Sequence, residues 1–255
     1  MNRLNSLNRS NRSTPYLSSP TGERLAKQVA HQMSCSRAEA EQYIEGAWVK
    51  VDGQTVETPQ YRVQAHQTIT IDPQARLEDL QPISIVLNKP ADCDFGEVHR
   101  LLTPAHHARD ATGIRTLQRH FKQLECHIPL ADATSGLLIF TQDWRVIRKL
   151  EEDKNTIEHE FMVEVQGNIS AQTLENMQRT TKADGAYPLT KISLSSSNPQ
   201  RSTLRFAVKG WHKGWISFLC QSAQIEITAM RRTRVGRVNL GDLPVGQWRY
   251  WVDKV

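Results

Sequence analysis

Ile83-Ser84-Ile85-Val86-Leu87-Asn88-Lys89-Pro90 is an apolar run that ends on a polar pair and a proline. A short run of this kind, rich in β-branched residues and closed by proline, reads as a buried strand. Proline lacks the amide that a ladder needs, so the strand stops there. Gly136-Leu137-Leu138-Ile139-Phe140-Thr141 reads as a second buried strand, followed by a helix carrying Val146, Ile147 and Leu150. Glu160-Phe161-Met162-Val163-Glu164-Val165 alternates polar and apolar, the period of a strand with one face buried. A helix over 170–179 and strands over 191–195, 202–208 and 215–220 complete the pattern. Strands and helices mix without regular βαβ alternation, so this unit is expected to be α+β with a largely antiparallel sheet and flanking helices.

A smaller unit precedes it. Leu25, Val29, Ala30 and Met33 recur at helical spacing, and Cys35 closes that element. Ser36 and Glu39 stand three apart, as in a capping box, where each side chain satisfies a free amide at a helix start. The helix they open buries Ala40, Tyr43, Ile44 and Ala47, with Gly46 near its end. Trp48 to Val56 then reads as two short strands around an Asp52-Gly53 turn, and Val63, Ile69 and Ile71 as a further strand or two. Residues 73–82 are polar, with proline at both ends, and read as a linker. The expected organisation is a disordered basic arm over 1–21, a small domain over 22–72, the linker, and a larger domain over 83–255.

The chain has 255 residues, 38% hydrophobic and 23% charged, with a formal net charge of +5. That is the composition of a folded protein with a basic bias. The bias concentrates late: Lys191, Arg201, Arg205, Lys209, Lys213, Arg231, Arg232, Arg234, Arg237, Arg249 and Lys254 face only Asp184, Glu226, Asp242 and Asp253 beyond residue 183. Such a distribution suits a phosphate-rich partner. Cys35, Cys93, Cys126 and Cys220 have no metal spacing and read as free thiols in a reducing compartment, with the cytoplasm as the default location. No apolar run reaches a membrane span, so no membrane partner is expected. His99, His106, His107 and His120 lack ligand spacing, so this stretch reads as a polar loop and no metal is expected.

Two resemblances connect these observations. The stretch from Arg24-Leu25-Ala26-Lys27 through Cys35-Ser36-Arg37-Ala38-Glu39-Ala40 to Val49-Lys50-Val51-Asp52-Gly53 resembles the S4 (αL-type) RNA-binding domain. That resemblance implies a surface for folded RNA, with Arg24, Lys27, Ser36, Arg37 and Lys50 as its contacts. The rest of the chain resembles the RsuA/RluF-like RNA pseudouridine synthases. It does so at Leu87-Asn88-Lys89-Pro90, at Thr134-Ser135-Gly136-Leu137-Leu138 with Thr141, at Glu158 to Val165, and at Arg232-Thr233-Arg234 with Asn239 to Arg249. The resemblance implies isomerisation of a uridine in structured RNA, ribosomal RNA foremost, without cofactor or metal; a monomer on RNA is the default expectation. An aspartate breaks the bond from C1′ to N1, the base rejoins through C5, an aromatic ring stacks on it, and a cation partners the carboxylate.

Four positions depart from that pattern. In Ile128-Pro129-Leu130-Ala131-Asp132-Ala133-Thr134, ungapped comparison puts Ala131 where the aspartate belongs and Pro129 where an arginine belongs. Asp132 takes the catalytic place only if one residue is missing before Thr134. Phe161 stands for the stacking tyrosine, and Ser217 for the arginine near the carboxylate; Arg231, Arg232 or Arg234 could supply that charge from elsewhere, and Phe161, Arg232 and Arg234 are the candidate substrate contacts. Two functions therefore stand: an RNA pseudouridine synthase with Asp132 as its carboxylate, or an inactive relative that binds RNA or assists ribosome assembly.

Overall fold

The computed structural model describes residues 22–77, 81–181, 188–210 and 212–252, so the expected arm over 1–21 lies outside the described residues. The chain divides into two compact units, residues 1–80 and 81–255.

In the first unit, β1 (Glu23–Arg24) leads into α1 (Leu25–Met33) and α2 (Arg37–Glu45). The cap forms as expected: the Glu39 amide donates to Ser36 Oγ at 3.2 Å, and the Ser36 amide to Glu39 Oε2 at 2.7 Å. The two helices cover β2 (Val49–Val51), β3 (Gln54–Thr55), β4 (Arg62–Val63) and β5 (Ile69–Ile71). β2 pairs antiparallel with β3 and β5, and β1 with β4. Asp52 and Gly53 both take positive φ, 50° and 80°, as the tight turn between β2 and β3 requires. Leu25, Val29, Ala40, Ile44 and Val49 form the sealed core.

The second unit is built on one eight-stranded sheet. Its elements in order are β6 (Ser84–Lys89), α3 (Phe95–Arg100), β7 (Thr134–Thr141), α4 (Trp144–Glu152), β8 (Glu158–Gln166), α5 (Ala171–Thr180), β9 (Thr190–Ser197), β10 (Arg201–Lys209), α6 (Trp215–Ser222), β11 (Ile227–Val235), β12 (Val238–Asn239) and β13 (Trp248–Trp251). The strand order is β13-β6-β7-β11-β8-β10-β9, with β12 paired on β11. Among the described strand pairs only β7 with β11 is parallel, so the sheet is mixed and mainly antiparallel. Apolar layers cover both faces, one around Leu87, Phe140, Phe206 and Trp248, the other around Val86, Leu137, Val235 and Leu240.

Two expectations from sequence change. The run Trp215–Ser222 is a helix, not a strand, because its buried residues Trp215, Ile216, Leu219 and Cys220 follow the 3–4 spacing of a helix face. The histidine-rich stretch is not a free polar loop. The His107 ring stacks on Trp248 at 4.2 Å, and His120 Nδ1 bonds the Tyr250 hydroxyl at 2.7 Å. Asp110 accepts from the Tyr250 amide at 3.0 Å, so this stretch is fixed to β13.

Among the described glycines, Gly136 has the closest approach to a neighbouring strand. Its φ is 103°, and a Cβ there would sit 2.3 Å from the Arg232 carbonyl oxygen. The parallel pairing of β7 with β11 therefore depends on a missing side chain. Gly136→Ala should lower unfolding free energy by about 2–4 kcal/mol, read from the urea midpoint.

Candidate active site

The strand β6 carries six consecutive buried residues, including Asn88 and Lys89. Polar side chains survive there only with partners. Asn88 Nδ2 donates to the Leu243 carbonyl at 2.6 Å, and the Asn88 backbone exchanges bonds with Gln247 and Gly246. Lys89 is 1% exposed, and its ammonium donates to the carbonyls of Pro90, Asp132 and Thr134 at 3.0, 2.7 and 3.0 Å. Burial lowers its pKa, against the opposing pull of Cys93, Asp132 and Asp92. One cation thus binds the end of β6 to the segment just before β7.

That segment is a tight turn, closed by the Thr134 amide on the Ala131 carbonyl at 3.0 Å. Asp132 and Ala133 occupy its corners and are exposed. Beside it lies a cavity of about 180 Å³. Leu130, Ala131 and Thr134 line it from the turn, His159 and Phe161 from β8, and Lys213 to Ser217 from the start of α6. Phe161 belongs to the buried core with 7% exposure, and it also presents to this cavity. Ala131 faces the cavity; Asp132 is not among its lining residues, and among the described residues no Asp or Glu lines it.

Arg232 and Arg234, expected as substrate contacts, are engaged by the protein instead. Arg232 is wholly buried, with Nε on the Leu137 carbonyl at 2.9 Å and a terminal nitrogen on the Ile128 carbonyl at 2.7 Å. Burial pushes its pKa down to about 10, and the Cys126 side chain draws it back up. Arg234 pairs with Glu158 and Glu160 and donates to the Gly236 carbonyl. Both side chains hold β11 against its neighbours. His159 stands on β8 two residues before Phe161. It is 1% exposed, and burial, then Arg232, His212 and Arg234, push its pKa down to about 3.

In the first unit, Arg24, Lys27 and Arg37 line one concavity of about 740 Å³ with Arg62, which the sequence reading did not single out. Lys27 pairs with Glu23 and Arg37 with Glu41, yet both stay mostly exposed. Ser36 is spent on the cap, and Lys50 is exposed on β2 but does not line this concavity. Among the described residues no group of His, Cys, Asp and Glu could hold a metal ion, and no helix is long and apolar enough to cross a membrane.

Residues 23–69 match the S4 domain family model. A ribosomal large subunit pseudouridine synthase B of Bacillus subtilis is 25% identical over 234 residues, covering 89% of this chain and 91% of that protein. The chain is a relative of the RNA pseudouridine synthases. An uncharacterized RNA pseudouridine synthase of Aquifex aeolicus is 23% identical over 229 residues, covering 89% and 91%. The dual-specificity RNA pseudouridine synthase RluF of Escherichia coli is 25% identical over 239 residues, covering 90% of this chain and 76% of the enzyme. A crystal structure of a pseudouridylate synthase superposes with a TM-score of 0.51 at 16% identity, covering 90% of this chain and 96% of that one. The second unit therefore has the pseudouridine synthase fold.

Two measurements test this description of the site. Lys89→Met leaves buried carbonyls without their donor and should cost on the order of 2–4 kcal/mol, with faster amide exchange at Thr134. His159 and His120, the latter lowered to about 4 by burial and then Arg119, stay neutral when folded but charge below about pH 6.5 when unfolded. Depressed folded pKa values give stability that is complete above 6.5 and lost as pH falls. Unfolding free energy should drop by at most about 2 kcal/mol per histidine between pH 6.5 and 5. His159→Gln should remove that histidine's share of the slope.

Proposed function

We propose that this protein binds folded RNA, ribosomal RNA foremost, and isomerises a uridine in it to pseudouridine, with Asp132 as the carboxylate. What supports this reading is the relationship to RNA pseudouridine synthases over about nine-tenths of the chain, on a fold that keeps a cavity between Phe161 and the 131–134 turn. The S4 unit supplies the grip on RNA, through Arg24, Lys27, Arg37 and Arg62 in one concavity. The target base leaves its stack, at a cost of a few kcal/mol, and stacks on Phe161. Asp132 sits in sequence between the lining residues Ala131 and Thr134, so its carboxylate must turn over the cavity to reach C1′. We place the protein in the cytoplasm as a monomer, without cofactor or metal.

One observation favours a second reading, RNA binding without isomerisation, as in an assembly factor. Ala131 rather than a carboxylate faces the cavity, and Lys89 holds the Asp132 carbonyl in that arrangement.

The two readings separate in cells lacking the gene. For the enzyme, one pseudouridine in ribosomal RNA disappears, returns with the unmutated protein, and does not return with Asp132→Ala. If no site changes while the protein still co-purifies with RNA, the isomerase reading is wrong and the second stands.

A further inference from the structure

The cations on β6, on β11 and at the start of α6 fall into two groups. Lys89 is committed to three backbone carbonyls, Arg232 to two, and Arg234 to Glu158, Glu160 and the Gly236 carbonyl. All three serve the fold. Lys213 differs: it is exposed, and among the described residues it is the only Lys or Arg that lines the cavity. It precedes Gly214, whose φ of 80° turns the chain into α6, so the lysine stands at the rim while Trp215 and Ile216 form the wall. Among the described residues no ion pair to it is found.

A nucleotide that buries its base in a cavity of about 180 Å³ leaves its sugar and phosphate at the mouth. The mouth is where Lys213 stands, and no carboxylate among the described lining residues competes for its charge. Ser217, one helical turn further on, carries no charge to offer a phosphate. We propose that Lys213 is the phosphate contact of the nucleotide whose base enters this cavity, fixing the strand at the mouth while the base stacks on Phe161. The proposal rests on the cavity being the base site. Lys213 acts as a point charge, so arginine can replace it.

The test uses the full chain and a uridine-rich single-stranded RNA oligonucleotide, with affinity measured across a range of salt. Each phosphate contact adds about 0.7 to the slope of log affinity against log salt for a single strand. Lys213→Ala should reduce that slope by about 0.7, and Lys213→Arg should restore it. Phe161→Ala should weaken binding while leaving the slope unchanged, because stacking releases no counterions. If Phe161→Ala weakens binding but Lys213→Ala leaves the slope intact, Lys213 is not the phosphate contact and the base site stands. If Phe161→Ala has no effect, the cavity is not the base site and the proposal falls with it, whatever Lys213 does.

Discussion

A buried ammonium is the constraint on which the second unit depends. Lys89 ends a strand with no exposed residue, and a charge there is tolerable only if acceptors surround it. Pro90, Asp132 and Thr134 supply their carbonyls, and in doing so they fix the turn before β7 to the end of β6. Its neighbour Asn88 reaches the other way, to Leu243, Gln247 and Gly246 near the end of the chain. An Asn-Lys-Pro sequence thus joins the first strand of the unit to its cavity wall and to its final turn. The proline belongs there because β6 has to end where the lysine's carbonyls converge.

The same economy governs the other charges. Arg232 spans β11 to the carbonyls of Leu137 and Ile128, from a position where Gly136 lets the two backbones approach. Arg234, Arg205 and Arg201 form a ladder with Glu158, Glu160 and Glu164 on the opposite face of β8 from His159 and Phe161. Basic residues that look available for RNA in the sequence are therefore used to hold strands together. What lines the cavity is a largely apolar wall with the neutral His159, together with His212 and Lys213, the one Lys or Arg among the described lining residues, an environment suited to an uncharged base with its phosphate outside.

Much of this fold was legible in the sequence, for identifiable reasons. The α+β class, β6, β7 and β8 followed from apolar runs and period-two alternation, and the Ser36 helix from its cap. The helix over Trp215–Ser222 was missed because a short apolar run fits either period until its ends are known. The packing of His107 on Trp248 and of His120 on Tyr250 was illegible, since the partners lie about 130 residues or more apart. At the site, the sequence singled out the 128–134 segment and Phe161, and the structure places Ala131 and Phe161 on one cavity. It could not show that Arg232 and Arg234 are engaged by carbonyls and carboxylates of the protein, which is a property of the sheet register, and it quoted Lys89 only as part of a motif. A lysine inside an unbroken buried strand was the available signal, because such a side chain must find acceptors.

The central claim is that the cavity beside the 131–134 turn receives a uridine base. Photocrosslinking the full chain to ribosomal RNA that carries 4-thiouridine, with the linked peptides identified by mass spectrometry, tests it most directly. The account predicts thiouridine adducts on the cavity segments, at Phe161 or within 130–134 and 212–217, alongside those on the S4 unit. Adducts confined to residues 23–69, with the cavity segments unmarked, would contradict it.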